Sequence, residues 1–188
     1  MAGFKIIFMY EIETKVLGID AAAVIKQLED LGAKQVQDTK LVVDWFGPKG
    51  LTHNGDDPWF MRVRSYSSEV HEVTWKGISN HIGQSRQTQE INFTVSDPDK
   101  IKELLSVLDF ENYAHQEKYR KSFTYKDWRF DIDQYPGMPA FVEIEGQSEE
   151  YVQEAMKMLN VSDNKTFNKG ERMLVQDEYG LNWFNMKF

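Results

Sequence analysis

The sequence predicts an α+β fold: a closed, eight-stranded antiparallel β-barrel with helices packed against its outside. Three observations carry this. About eight stretches alternate in character with period two. Five of them place a charged residue at every second position, so that the charges of each share one face. Helix signals fall between the strands and short turns join most elements, with no Pro/Ser-rich linker, so residues 1–188 are expected to form one domain.

Taken in order, Phe4 to Val16 reads as a strand. Its even positions (Phe4, Ile6, Phe8, Tyr10, Ile12, Thr14, Val16) are mostly apolar, and its odd ones end in Glu11, Glu13 and Lys15. Asp20 caps a helix over Ala21–Leu31 that Gly32 stops. Strands are expected at Lys40–Phe46, Trp59–Tyr66 and His71–Lys76. Gly47 to Pro58, rich in Gly, Pro, Asp and Asn, reads as a loop. Ile78 to Ser85 reads as a turn and Arg86 to Val95 as a strand. Asp97-Pro98 then opens a second helix reaching about Leu108. Strands follow at Lys118–Tyr125, Arg129–Gln134 and Phe141–Glu145, and a third helix at Ser148–Leu159. A short helix near Glu171–Tyr179 precedes an aromatic end.

Composition narrows the function classes. With 41% hydrophobic and 28% charged residues the chain reads as globular rather than disordered. No apolar run approaches the roughly 20 residues that span a bilayer. The first ten residues carry neither a cationic leader nor a small-residue cleavage site. The absence of cysteine excludes disulfides and thiolate metal sites, and fits a cytoplasmic protein. A net charge of −8 argues against a nucleic-acid partner. It leaves room for a small anionic ligand wherever Lys and Arg are concentrated.

The strand charges are sorted. Glu11, Glu13 and Lys15 share a face, as do Arg62 and Arg64, Lys118 and Arg120, Asp131 and Asp133, and Glu143 and Glu145. Lys76, and Arg86 with Glu90, add charges on two further strands. A sheet turning its polar face to water would mix Ser, Thr, Asn and Gln among them. Cation pairs and carboxylate pairs on separate strands point instead to a charged lumen, with the apolar face outside under the helices. Such a lumen suits a triphosphate. Arginine meets phosphate oxygens bidentately and lysine as a point charge. Carboxylates repel the ligand unless a hard cation such as Mg²⁺ or Mn²⁺ lies between.

Glu11-Ile12-Glu13-Thr14-Lys15 resembles the E-x-E-x-K signature of the CYTH superfamily, the triphosphate tunnel metalloenzymes. That group includes class IV adenylate cyclases, thiamine triphosphatases and inorganic triphosphatases. Arg62-Val63-Arg64 resembles its R-x-R strand, Lys76 the lysine that follows, and Arg86 with Glu90 the next basic–acidic strand. Lys118-Tyr119-Arg120 resembles its K-x-R strand, and Phe141-Val142-Glu143-Ile144-Glu145 the closing F-x-E-x-E strand. The resemblance covers about residues 8 to 180.

It implies an eight-stranded tunnel with metal-associated Glu11, Glu13, Glu143 and Glu145, and with Glu90 and Asp133 as further candidates. It implies that Lys15, Arg62, Arg64, Lys76, Arg86, Lys118 and Arg120 hold phosphate oxygens, with Lys15, Arg62 and Arg64 catalytic. The implied activity is metal-dependent hydrolysis of tripolyphosphate or an organic triphosphate, using Mg²⁺ or Mn²⁺. Conversion of ATP to cyclic AMP and pyrophosphate, or binding of polyphosphate or nucleotide without turnover, are the alternatives. Arg86-Gln87-Thr88 departs from the R-x-E of many members, with Glu90 on the same face to compensate.

His53, His71, His81 and His115 show no close ligand spacing and read as loop or surface residues. The tryptophans (Trp45, Trp59, Trp75, Trp128, Trp183) are expected to pack between barrel and helices.

Overall fold

The computed structural model describes residues 9–51, 59–67 and 69–188. Eight long strands are present: β1 (Met9–Val16), β2 (Lys34–Pro48), β3 (Phe60–Tyr66), β4 (His71–Ile82), β5 (Ser85–Val95), β6 (Phe110–Tyr125), β7 (Trp128–Gln134) and β8 (Phe141–Gly146). They pair in the order β6-β2-β3-β4-β5-β1-β8-β7, and β7 pairs back onto β6, so the sheet closes. Every one of these pairings is antiparallel. Two short strands extend the sheet: β9 (Thr166–Phe167) on β1, and β10 (Asn185–Met186), parallel to β6.

Helices α1 (Ala21–Asp30) and α3 (Glu149–Met158) cover one side of the barrel. Asp20 starts α1 by accepting from the N–H groups of Ala22 and Ala23 at 3.0 and 3.1 Å, and Ser148 starts α3 by accepting from Tyr151 N–H. Val24 and Leu28 of α1, and Val152, Ala155 and Met156 of α3, are buried in one cluster with Ile12, Val16, Phe130, Ile132, Val142 and Ile144. Those strand residues alternate with Glu11, Glu13, Lys15, Asp131, Asp133, Glu143 and Glu145. Period two therefore turns the apolar set outward under the helices and the charged set into the bore. Each fully buried aliphatic side chain is worth about 1.5–3 kcal/mol, which is what docks the helices. Helix α2 (Pro98–Val107), capped by Asp97, buries Leu105 with Phe46, Val63 and Val73 on another side. No described helix is long and apolar enough to cross a membrane.

An ion pair also pins α2. Asp44, on the outward face of β2, lies 2.6 Å from Lys102 of α2 and 2.7 Å from Nδ1 of His115 on β6. Burial alone would raise this carboxyl, but Lys102 and His115 outweigh it and hold it below its ordinary value of 3.8. A depressed carboxylate contributes stability that is complete above its unfolded pKa and is lost as pH falls through the folded one. Asp44→Asn should therefore destabilise at pH 7, and its gap to the parent should shrink by pH 3. Urea unfolding at the two pH values measures it, and a gap that persists at low pH contradicts the assignment.

Several elements differ from their expected bounds. Strands β2 and β6 begin earlier than expected, at Lys34 and Phe110, because they form one long ladder with each other through polar residues such as Gln35, Gln37 and Asn112. The stretch read as a turn over Ile78–Ser85 is mostly strand. β4 bulges between Lys76 and Ser79, resumes pairing with β5, and reverses only at Gly83-Gln84, where Gly83 takes φ +57°. Sheet pairing outweighs the weak strand preference of Gly77, Ser79 and Asn80. The final helix is a single turn, α4 (Glu171–Met173), running into a π-helical turn over Leu174–Glu178. The expected strand residues Phe4–Phe8, the 52–58 part of the expected loop and His53 lie outside the described residues.

Candidate active site

The bore is a lattice of alternating charge. On β1, Lys15 Nζ lies 3.3 Å from Glu13 and 2.9 Å from Glu143 of β8. Arg86 of β5 donates to Glu13 through Nε at 2.6 Å and also pairs with it through Nη2. Lys76 of β4 holds Glu11 at 2.5 Å and Glu90 at 2.8 Å. On the opposite arc Lys118 and Arg120 of β6 face β7. Lys118 lies 2.8 Å from Asp133, while Arg120 grips Asp133 through Nε and Nη2 at 2.6 and 2.5 Å and Asp131 through Nη1 at 2.6 Å. Arg64 of β3 turns to β4, with Nη2 3.0 Å from Glu72 and 3.2 Å from Thr74.

Burial sets the protonation balance. It would raise the Glu13 carboxyl, but Arg86 and Lys15 hold it well below the usual range. Glu90, opposed by burial, is pulled down to about 2 by Lys76 and Arg62. Glu11 moves the other way: burial pushes it up more than Lys76 pulls it down. Glu145 is pushed up to about 8 by burial and by the carboxylates of Glu11 and Glu13. Arg64, buried beside Arg62, is lowered.

A cavity of about 590 Å³ occupies the bore. Of the charged residues singled out in the sequence, Arg62, Lys76, Arg86, Arg120 and Glu143 line it, from five different strands. Lys15, Arg64, Lys118, Glu11, Glu13, Glu90 and Asp133 are not part of its wall but form the ion-paired layer behind, and Glu145 also lies outside the wall. Buried Nε atoms of Arg62 and Arg64 have no hydrogen-bond partner among the described residues. Arg62 otherwise rests over the Trp45 ring, 5.6 Å from its centroid.

Three features of the site go beyond the sequence reading. The first is Glu171, which lines the cavity and lies 2.6 Å from Lys118; in the sequence it marks only the start of a short helix, and nothing local points to its burial. The second is the aromatic wall. Trp45 and Trp183, 5.0 Å apart, line the cavity with Phe60 and Tyr113 instead of packing between barrel and helices. Trp128 does pack as expected, stacked 4.0 Å from Tyr151 of α3. The third is Thr88, which is buried in the bore and bonded to Ser79 at 2.7 Å. His115, expected at the surface, is the Asp44 partner described above.

The donor set fits a hard divalent cation: five glutamates (Glu11, Glu13, Glu90, Glu143, Glu145) on adjacent strands β5, β1 and β8, with oxygen ligands only. Burial first, and then the carboxylates of Glu11 and Glu13, raise the Glu145 pKa, a cost that a bound cation would relieve. Among the described residues no three such groups yet stand together at coordinating positions, since Lys15, Lys76 and Arg86 hold most of them. Asp133 is gripped by Lys118 and Arg120.

Comparison with known proteins agrees with this geometry. A "Putative adenylate cyclase" of Methanocaldococcus jannaschii is 27% identical over 177 residues, spanning 86% of this chain and 95% of that one. Among solved structures, a Vibrio parahaemolyticus protein described in the same words superposes with TM-score 0.76 at 12% identity, covering 89% of this chain and 98% of its own. A Hippeastrum protein, described as a "putative adenylyl cyclase" with a dominant triphosphatase activity, gives TM-score 0.64 at 13% identity, covering 94% and 97%. At these identities the two structures show the shared fold. The CYTH domain model matches residues 9–170, the span that holds all eight barrel strands and their sorted charges, and the chain belongs to the CYTH domain family.

Proposed function

We propose that the protein hydrolyses a phosphoanhydride bond of tripolyphosphate or an organic triphosphate, with Mg²⁺ or Mn²⁺. The observation that carries this is the convergence of Arg62, Lys76, Arg86 and Arg120 on one cavity, with the Arg62 Nε buried and unpartnered among the described residues. A buried donor without an acceptor costs about 1–3 kcal/mol, and a phosphate oxygen satisfies it. In this reading the four cations hold the phosphate chain and stabilise charge developing on the leaving oxygens. Lys15, sealed between Glu13 and Glu143, positions those carboxylates rather than touching substrate. Glu11, Glu13, Glu90, Glu143 and Glu145 would hold the metal. When bound, the metal supplies Lewis-acid charge and lowers the pKa of a coordinated water.

The test is a panel of tripolyphosphate, thiamine triphosphate and nucleoside triphosphates, each with Mg²⁺, Mn²⁺ or EDTA. Phosphate release in the metal arms and none in EDTA is the expected result. No release from any substrate removes the proposal.

A second reading, adenylate cyclase, is favoured by the aromatic wall: Trp45, Phe60, Tyr113 and Trp183 stand beside Arg62, where a purine would stack. Cyclic AMP and pyrophosphate in the ATP arm, instead of phosphate, would select it.

A further inference from the structure

The carboxylate of Glu171 stands where an incoming anion would. It lies 2.6 Å from Lys118 Nζ and lines the cavity, whereas Lys118 itself does not. Glu171 is thus interposed between the open space and that lysine. Arg62, Lys15 and Arg120 also face it: burial would raise its carboxyl, yet these cations together with Lys118 hold it well below the usual range. The fields of cations on three strands, β1, β3 and β6, thus act on one side chain of a segment outside the barrel strands, with Lys118 in direct contact. Lys118 also has Asp133 at 2.8 Å, a carboxylate it shares with Arg120. The segment is anchored from behind by Leu174 and Val175, both fully buried, so the side chain can withdraw while the backbone stays.

We infer that Glu171 is a built-in stand-in for one phosphoryl group, occupying the innermost anion position and thereby determining how long a phosphate chain the barrel accepts. A two-phosphate ligand fits among Arg62, Lys76, Arg86 and Arg120 with Glu171 in place. A third phosphoryl group reaches Lys118 only by displacing the carboxylate. Glu171 is in this sense a specificity-determining residue, and the inference rests on the triphosphate reading above.

Equilibrium binding of tripolyphosphate and of pyrophosphate, in EDTA, to the parent protein and to Glu171→Gln tests it by calorimetry. Glutamine keeps the shape and removes the charge. Tripolyphosphate affinity is expected to rise about tenfold or more, as one opposing charge at contact distance is lost. Pyrophosphate affinity should change much less. Glu178→Gln, which removes one charge from the same segment at the surface beside Lys165, should leave both ligands unchanged. If Glu171→Gln does not fold, Glu171→Asp retracts the carboxylate by one methylene and should show a smaller gain of the same kind.

Equal gains for both ligands, or a folded variant with no gain for tripolyphosphate, overturn the inference while a parent that binds leaves the triphosphate reading standing. If neither parent nor variant binds tripolyphosphate, the inference falls, and the activity panel with Mg²⁺ or Mn²⁺ decides the triphosphate reading separately.

Discussion

Arg62→Ala is expected to lower kcat/KM for the preferred triphosphate by about a hundredfold to a thousandfold, the usual cost of deleting one preorganised donor to developing anionic charge. Arg62 lines the cavity, and burial, which opposes its charge, is more than offset by the fields of Glu171, Glu90 and Glu11. Its Nε has no acceptor among the described residues, so removing that donor leaves no acceptor of it unpaired among them. The fold should therefore survive, and the melting temperature should move by no more than a few degrees. Steady-state kinetics and thermal unfolding on the same preparation separate the two effects. A variant with parental kcat/KM would remove Arg62 from the site.

Arg120→Met should behave in the opposite way, as a stability variant first. Its guanidinium holds both Asp131 and Asp133, and Asp133 is wholly inaccessible to solvent. Deleting one member of a buried charge pair costs about 3–5 kcal/mol, because the carboxylates left behind keep their desolvation penalty. For a chain of this length each kcal/mol lowers the melting temperature by roughly 2–4 °C, so a fall of about 6–20 °C is expected. A change within two degrees would show that Lys118, Arg129 and relaxation suffice to neutralise β7. The contrast between the variants separates the proposed ligand role of Arg62 from that of Arg120, which spends most of its donors on the barrel.

The carboxylates proposed to hold the metal explain why a sequence motif cannot by itself describe a site. Glu11, Glu13, Glu143 and Glu145 were legible as one acidic face on two strands, and the pairing of β1 with β8 brings them together. Which of them a cation finds available was not legible. Lys15 and Arg86 hold Glu13, Lys76 holds Glu11 and Glu90, and Glu145 carries the highest carboxyl pKa of the set. These partners come from strands far apart in the chain. The long β2–β6 ladder was only half visible for a related reason. Its early residues are polar and take strand form because each has a partner across the ladder, not because of their own preference.

The alternation of five strands settled that their acids and bases gather on one face and mostly apolar residues on the other. Side-chain direction at period two is a local property of the extended backbone, so it can be read from consecutive residues. Tertiary structure decided the rest. Closure of β7 onto β6 turned those faces into a lumen. Strand order and stagger chose which charges pair and left Arg62 unsatisfied, and β2 presented Trp45 to the cavity with Trp183 from the chain's end. Glu171 reached Lys118 from 53 residues away. Contacts of that kind depend on where distant segments meet in space, and Coulomb forces in a buried site act on that distance, not on separation along the chain.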